Sequence, residues 1–394
     1  MNRRPRVILE ALQVRPNPTG TGRGILDLCA ALAEQDRGLD FSVLTTRREL
    51  FHDLDGRPGW RVVECPRARG GAFRKAVFTQ FMLPGLVKRL GGDLLHCLQF
   101  LVPLRCPVPL VATVHDLAWR FFPETIEEPR LSYYRWLVPR SLAKADAVVA
   151  NSRATASRTV DFFPQVGAKI HVTLHGTPRW VRERSCAEKI PDQAAGRPYF
   201  LFVGTLEPRK NLSRLLDAYE SFLSSDEVRA QPPDSVPDLV LVGGRGWKES
   251  RLRTKIAQLE AGGRLTVVAY CGLDELWNFY CRARALVFPS LDEGFGLPIL
   301  EAMAAGLPVL TSDRSGTAEV AGGKALLVNP ENTAEIAAGL ANLAFDEDLR
   351  RKLATGGRTR ARELTWSRTA EQTVAVYHEM LDIYQDKKGL PAGG

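Results

Sequence analysis

Glu293 and Glu301 bracket a glycine loop and the start of a helix in the run Glu293-Gly-Phe-Gly-Leu-Pro-Ile-Leu-Glu301. Gly294 and Gly296 carry no Cβ, so the backbone between them can approach a ligand closely. Pro298 suits a first helical turn, where its missing N–H costs nothing, and Gly306 with Pro308 ends the helix. A helix N-terminus fronted by glycines favours an anion, with the amides of Gly294, Phe295, Gly296 and Leu297 turned toward it. The two carboxylates repel phosphate but accept hydrogen bonds from hydroxyls. A ligand with both a diphosphate and sugar hydroxyls, a sugar-nucleotide, satisfies the whole run. A plain strand–turn–helix unit accounts for the glycines and leaves both glutamates unexplained.

A second cluster is Gly204-Thr-Leu-Glu-Pro-Arg-Lys-Asn-Leu212. Arg209 and Lys210 precede a helix for which Asn211 is the expected N-cap. Two adjacent cations at a helix N-terminus are electrostatically unfavourable unless an anion lies there. Nearer the N-terminus, Gly20, Gly22 and Arg23 open a helix after a strand, but the G-x-G-x-x-G spacing of a dinucleotide fingerprint is missing. His115 ends a strand at a point where a ligand is expected, and a lone histidine there is also compatible with a structural role; His175 is read as structural. Asp53 and Asp55 have the spacing of a metal-binding pair but lie in a loop rather than at a strand end, so no metal is expected. Glu293, placed in a cleft, is expected to cost turnover more than stability when removed.

These residues need strands to carry them. Apolar runs read as strands at residues 7–12, 41–46, 60–65, 94–100, 110–115, 147–151 and 169–175. A second series falls at 199–204, 239–243, 265–270, 285–289, 308–312 and 326–328. Helical patterns lie between them, among others at 24–34, 73–90, 131–144, 153–163, 212–223 and 248–260. Alternation of this kind implies parallel sheets covered on both faces, with continuous apolar strands. Doubly wound sheets bind ligands at the carboxyl ends of their strands, where the candidate residues stand. The expected division is an N-terminal Rossmann-like domain at 1–180, a polar linker at 181–197, a second Rossmann-like domain at 198–365, a helix at 366–386 and a tail at 387–394. Residues 228–237 are expected to form a surface loop and the tail to be disordered.

The run Glu293 to Glu301, with Ala-Leu-Val-Phe-Pro-Ser before it and Glu-Ala-Met-Ala-Ala-Gly-Leu-Pro-Val around its end, resembles the E-x7-E motif of retaining GT-B glycosyltransferases of family 4. Gly204 to Leu212 resembles that family's Arg/Lys segment, and many mannosyltransferases share it. The resemblance covers nearly the whole chain, most strongly residues 199–330. It implies an α/β GT-B fold: two Rossmann-like doubly wound parallel-sheet domains facing a cleft, with a C-terminal helix crossing back to the N-terminal domain. It implies retention by a front-face path, Arg209 and Lys210 on the donor diphosphate, Glu293 on donor-sugar hydroxyls, Glu301 on the ribose and His115 near the donor sugar. Gly20 and Gly22 would approach the diphosphate from the acceptor domain. Residues 243–247 and 272–276 resemble later donor-domain turns that line the base. Leu174-His-Gly-Thr-Pro-Arg departs from the family's usual Asn-Gly-Val-Asp-like turn and leaves the local geometry open. The implied partners are a sugar-nucleotide donor, GDP-mannose before UDP-hexose, and a glycan or lipid-linked acceptor of bacterial surface-polysaccharide or lipopolysaccharide assembly. A GT-B epimerase, which consumes donor without acceptor, and a non-catalytic GT-B scaffold remain as alternatives.

Composition sets outer bounds. The chain has 394 residues, 45% hydrophobic and 25% charged, which is long enough for two cored domains. No apolar run reaches a membrane span, and the N-terminus lacks a signal-peptide core. The seven cysteines are odd in number with no CxxC pair, so they are expected to be reduced thiols in a cytoplasmic protein. The net charge of +8 suits an anionic membrane face touched by a basic N-terminal domain, or a solvated arginine-rich surface. A nucleic-acid partner is not expected, because no nucleic-acid-binding motif accompanies the charge.

Overall fold

The computed structural model describes residues 3–35, 37–186, 196–244 and 250–388. Two compact units divide the chain: one holds residues 1–176 together with 365–394, the other residues 177–364.

The first unit is built on seven parallel strands: β1 (Arg6–Glu10), β2 (Asp40–Thr45), β3 (Trp60–Glu64), β4 (Leu94–Cys97), β5 (Leu110–Val114), β6 (Ala147–Ala150) and β7 (Ile170–Val172). Their order is β3-β2-β1-β4-β5-β6-β7, so the winding reverses between β1 and β4. Buried Val7, Leu9 and Val43 on one face pack with the helix Gly20–Ala33 and with the last helix, Trp366–Lys388. Ile8, Leu95 and Ala112 face a second apolar layer with the helix Glu128–Lys144. That two-sided burial is why these strands read as unbroken apolar runs. The C-terminal helix therefore belongs to the N-terminal part of the chain. Tyr377 on it bonds His96 Nδ1 at 2.6 Å, while His96 Nε2 meets Thr113 Oγ1 at 2.7 Å. Burial drives His96 to about 3, so its ring is neutral and both nitrogens are used.

The second unit has six parallel strands: β8 (Tyr199–Val203), β9 (Asp238–Val242), β10 (Leu265–Val268), β11 (Ala285–Phe288), β12 (Val309–Ser312) and β13 (Leu326–Val328). Their order is β10-β9-β8-β11-β12-β13, with the reversal between β8 and β11.

Several expectations change. Residues 73–90 are not one regular helix: Ala72–Val77 and Leu83–Arg89 flank a wider turn at Phe78–Met82, with Pro84 just beyond it. Pro84 has no N–H to continue the ladder, and a wider turn absorbs the misfit. Residues 228–237 hold a helical turn, Asp226–Arg229, and a 3-10 turn, Pro233–Ser235, pinned by buried Val228 and Val236. The thiols are not all free: Cys186 and Cys281 form a disulfide, with Cα atoms 5.4 Å apart. Their separation of 95 residues hid the pair in the sequence. Cys29, Cys65, Cys97, Cys106 and Cys271 are free. Much of the expected linker, the turn at 245–247 and most of the tail lie outside the described residues. Among the described residues no helix is long and apolar enough to cross a membrane.

Candidate functional site

The strand order of the second unit brings its two chemical clusters together. The loop after β8 carries Arg209 and Lys210, and the loop after the neighbouring β11 carries Glu293. Arg209 reaches Glu293 Oε2 at 2.6 Å, and Lys210 Nζ donates to Glu293 Oε1. Arg209 also donates to the Asp292 carbonyl at 3.0 Å, and its own carbonyl accepts from the Leu291 amide at 2.9 Å. Lys210 is buried, its ammonium 4.8 Å from the centre of the Phe288 ring. Arg209 also has Glu207 Oε2 at 3.6 Å, so the two cations share buried Glu293 and have a second, more exposed carboxylate beside them. Burial of Glu293 works to raise its pKa, but Arg209 and Lys210 together hold it below the usual carboxylate value. Burial also lowers Lys210, with Glu293 opposing.

The geometry corrects two expectations. The cations ahead of the helix Leu212–Ser224 do not stand bare against its dipole, because Glu293 balances them. Asn211 occupies the N-cap position, but at φ 60° with no side-chain cap bond. Its amide instead donates to the carbonyls of Pro289 at 2.9 Å and Pro330 at 2.6 Å. It staples the two loops rather than capping the helix, which asparagine tolerates better than most residues at positive φ.

Glu301 lies on the helix Leu297–Ala305, whose N-cap is Gly296 at φ 104° and whose C-cap is Gly306 at φ 72°. No side chain caps that N-terminus. Buried Glu301 accepts from Tyr280 at 2.6 Å on Oε2 and from the Trp180 indole at 3.3 Å on Oε1. Both glutamates were expected to accept from ligand hydroxyls; here they accept from protein donors. Trp180 and Tyr280 were not singled out in the sequence, because they lie 121 and 21 residues from Glu301. The disulfide joins the residue after Tyr280 to the segment following Trp180, so it braces both donors.

The loop from Glu293 to Gly296 is held by a contact the sequence did not show. Ser315, at φ 59°, accepts from the Glu293 amide at 3.3 Å, and the Gly316 amide donates to the Glu293 carbonyl at 3.0 Å. A Cβ on Gly316 would stand 2.4 Å from the Gly294 carbonyl oxygen. Gly243 packs as tightly on Gly204, whose oxygen would lie 2.0 Å from an added Cβ. Gly272 precedes the helix Leu273–Arg282, where Asp274 pairs with Arg184 at 2.6 Å.

In the first unit the loops after β1, β2, β4 and β5 surround a cavity of about 620 Å³ that includes Gly22 and His115. Gly20 starts the helix Gly20–Ala33 and stays at the exposed surface outside that cavity. Arg23 folds back to the Pro18 carbonyl at 3.0 Å. His115 donates through Nε2 to the Leu98 carbonyl at 3.0 Å, leaving Nδ1 without a partner. Burial lowers its pKa, so the neutral ring presents an acceptor nitrogen. His175 packs 5.8 Å from it and 5.0 Å from Trp366. Asp55 is engaged by Arg48. Among the described residues no three His, Cys, Asp or Glu side chains cluster as metal ligands do.

Residues 18–178 match the family described as Glycosyltransferase Family 4, and residues 187–360 match Glycosyl transferases group 1. The chain is 31% identical over 271 residues to the O-antigen chain mannosyltransferase B of Escherichia coli, covering 68% of this chain and 69% of that protein. It is 29% identical over 333 residues to a D-inositol 3-phosphate glycosyltransferase of Jonesia denitrificans, covering 80% and 74%. In fold it is similar to the sucrose-phosphate synthase of Thermosynechococcus elongatus, with TM-score 0.72 at 20% identity over 96% of this chain and all of that one.

Proposed function

The chain belongs to the family 4 glycosyltransferases, a GT-B family of retaining hexosyltransferases, and on that premise we propose that it moves mannose from GDP-mannose to a hydroxyl of a glycan or lipid-linked glycan. The observation that carries this reading is the meeting of Arg209, Lys210 and Glu293 where the second sheet reverses. Arg209 and Lys210 take the donor diphosphate as Glu293 gives them up, and Glu293 turns to the donor-sugar hydroxyls. Glu301, oriented by Tyr280 and Trp180, receives the ribose hydroxyls. As the sugar C1–O bond breaks, fixed cations stabilise the charge growing on the leaving phosphate. The acceptor oxygen bonds C1 on the same face, and its proton passes to the leaving phosphate oxygen. No metal is assigned a part. His115 and the turn at Gly20 and Gly22 serve the sugar and the diphosphate from the first unit.

Mannose is favoured by the likeness to a mannosyltransferase, and surface-polysaccharide assembly by the same relative's O-antigen role. A cytoplasmic enzyme on the inner membrane face fits the exposed apolar residues Phe73, Val77 and Phe81, which recur every four positions beside exposed Arg74. An apolar stripe flanked by cations is how a helix lies on an anionic bilayer. In a reducing compartment Cys186 and Cys281 would be thiols.

A thermal-shift panel of GDP, UDP, ADP, GDP-mannose, UDP-glucose and NAD tests the donor reading, because a ligand selective for the folded state raises the melting temperature. A shift with guanine nucleotides that disappears in Arg209→Ala supports it; a shift with uracil nucleotides alone replaces mannose from GDP-mannose with a UDP-hexose. Silence across the panel moves the reading to a scaffold. Donor consumed without acceptor, giving an isomer, identifies an epimerase.

A further inference from the structure

We infer that Cys281 is a thiol-exchange site for an anionic low-molecular-weight thiol of the glutathione class, through which the Cys186–Cys281 bond opens and closes. The site lies at the amino ends of β8, β11 and β12, where Tyr199, Arg284 and Pro308 line a groove of about 820 Å³. That is the end of the sheet opposite Arg209 and Glu293, and the volume suits a small molecule. Of the two bonded cysteines, Cys281 is on the groove wall. Both are half-buried, whereas free Cys29, Cys65, Cys97 and Cys271 are buried. Accessible disulfides are the ones that small thiols exchange. The charge around Cys281 says which thiol. Among the described residues six arginines line the groove against two glutamates, Glu275 and Glu347. Arg351 pairs with Glu347 at 2.6 Å and Arg197 with Asp238 at 3.5 Å, while Arg350 donates to the Leu343 and Ala344 carbonyls at 3.1 and 2.9 Å. Among the described residues Arg282, Arg284 and Arg358 have no carboxylate within ion-pair distance. Arg284 is the least comfortable: its Nε is buried without a hydrogen-bond partner. A desolvated cation is costly until an opposite charge accompanies it. Its charge is spread over the whole guanidinium, so an anion in the groove offsets it without touching Nε. A glutathione-class thiol has more carboxylates than ammonium groups. Guanidinium groups draw such an anion in and stabilise its attacking thiolate.

The exchange balances in two displacements. The small thiol gives its proton to water, and its thiolate attacks Cys281 Sγ. The bond to Cys186 breaks, and Cys186 leaves as a thiolate that takes a proton from water. A second small thiolate then attacks the small-molecule sulfur of the mixed disulfide and frees Cys281. The protein disulfide is reduced by two electrons, and two small thiols are oxidised to their disulfide. The reverse sequence closes the bond. Closure ties the residue after Tyr280 to the segment after Trp180, and these two donate to Glu301 at 2.6 and 3.3 Å. Resting on the donor reading of Glu301 above, the closed form keeps both donors in place and the open form binds nucleoside diphosphate more weakly.

The test treats the full chain, bond closed, with glutathione, neutral 2-mercaptoethanol or cationic cysteamine and follows opening by alkylation and mass spectrometry. Each rate is divided by that thiol's rate on the disulfide of 2-mercaptoethanol, which removes intrinsic reactivity. On that scale glutathione should open the bond about ten-fold faster than cysteamine. Arg282→Gln with Arg358→Gln, both exposed, should remove the preference. If that double variant does not fold, molar salt should remove it in the parent. In Cys186→Ser, oxidised glutathione should modify Cys281 ahead of the five free cysteines. A bond that millimolar glutathione leaves closed, equal scaled rates for the three thiols, or a preference that survives both the double variant and salt overturns the inference. Nucleoside diphosphate affinity should fall about five-fold or more on opening, and Cys186→Ser should match the opened parent. An affinity indifferent to the bond overturns the link to Glu301. Should no nucleoside diphosphate bind either form, the donor reading fails separately and the exchange rates still decide the site.

Discussion

Glu293→Gln keeps the size of the side chain and removes its charge. In the parent both carboxylate oxygens are engaged, by Arg209 and by Lys210. The variant leaves Lys210 buried beside Arg209, with the Phe288 ring and the more distant Glu207 carboxylate as its remaining electrostatic support. Breaking a buried ion pair from one side costs about 3–5 kcal/mol. Lys210 can limit that cost by releasing its proton. From the ordinary lysine value of 10.5 down to pH 7, release costs about 5 kcal/mol at 1.36 kcal/mol per pH unit. The two bounds agree, and one hydrogen bond from the new amide trims them to about 3–4 kcal/mol. For a unit of this size that lowers the melting temperature by roughly 10 °C. So the expectation that Glu293 matters to turnover far more than to stability is revised: both should fall. Nucleoside diphosphate should then raise the melting temperature more in the variant than in the parent, because it no longer competes with a carboxylate for the cations. Scanning fluorimetry with and without nucleotide reads both effects. A loss under about 2 °C, or a smaller nucleotide shift in the variant, would refute the reasoning.

Tyr280→Phe strips one donor from buried Glu301 and should cost about 1–3 kcal/mol, with donor KM rising more than kcat falls; an unchanged KM counts against the ribose assignment. Glu10, at about 7 when folded and 4.5 when unfolded, contributes stability that is whole below pH 4.5 and lost as pH rises to 7, about 3 kcal/mol in all. Relative to the parent, Glu10→Gln should therefore gain stability across that window in urea melts at stepped pH; parallel curves would reject the buried-acid account. With the pair Cys186–Cys281 closed, thiol titration of unfolded, unreduced protein should find five groups of seven. Reduction should cost unit 177–364 up to roughly 4–5 kcal/mol for a loop of this length; seven reactive thiols without reductant would deny the bond.

Strands were legible because burial on both faces forces continuous apolar runs, as in Leu94, Leu95 and Leu110–Val114. Their ends were misplaced in one direction. Residues 98–100 and 173–175 continue the apolar or polar tone of the strand while the backbone has left the ladder to make a loop. The candidate residues Arg209, Lys210 and Glu293 were legible because charges beside glycines at strand ends have few structural uses. Their mutual pairing was not, since it depends on β8 lying next to β11, and local pattern carries no strand order. Trp180, Tyr280, Ser315 and Gly316 escaped for the same reason: each acts on a residue far away in the chain. Asn211 does stand at the N-cap, but its side chain's role there was not legible, because one residue type serves both as a cap and at positive φ, and only the backbone angle separates the two.

The last helix has a consequence for how the protein is made. Trp366, Ala370, Val374, Tyr377 and Met380 fill the same apolar layer as Val7, Leu9 and Leu32. The unit that begins the chain is thus finished by its final residues, whereas residues 177–364 form a continuous unit. On the ribosome the first sheet must wait with one flank uncovered while the second can close ahead of it, an inversion of the usual N-terminal-first order. A fragment ending near residue 176 would keep that flank bare and lack the hydroxyl that satisfies His96. The same dependence means that cutting the chain before residue 366 would leave the first sheet without the helix that covers it.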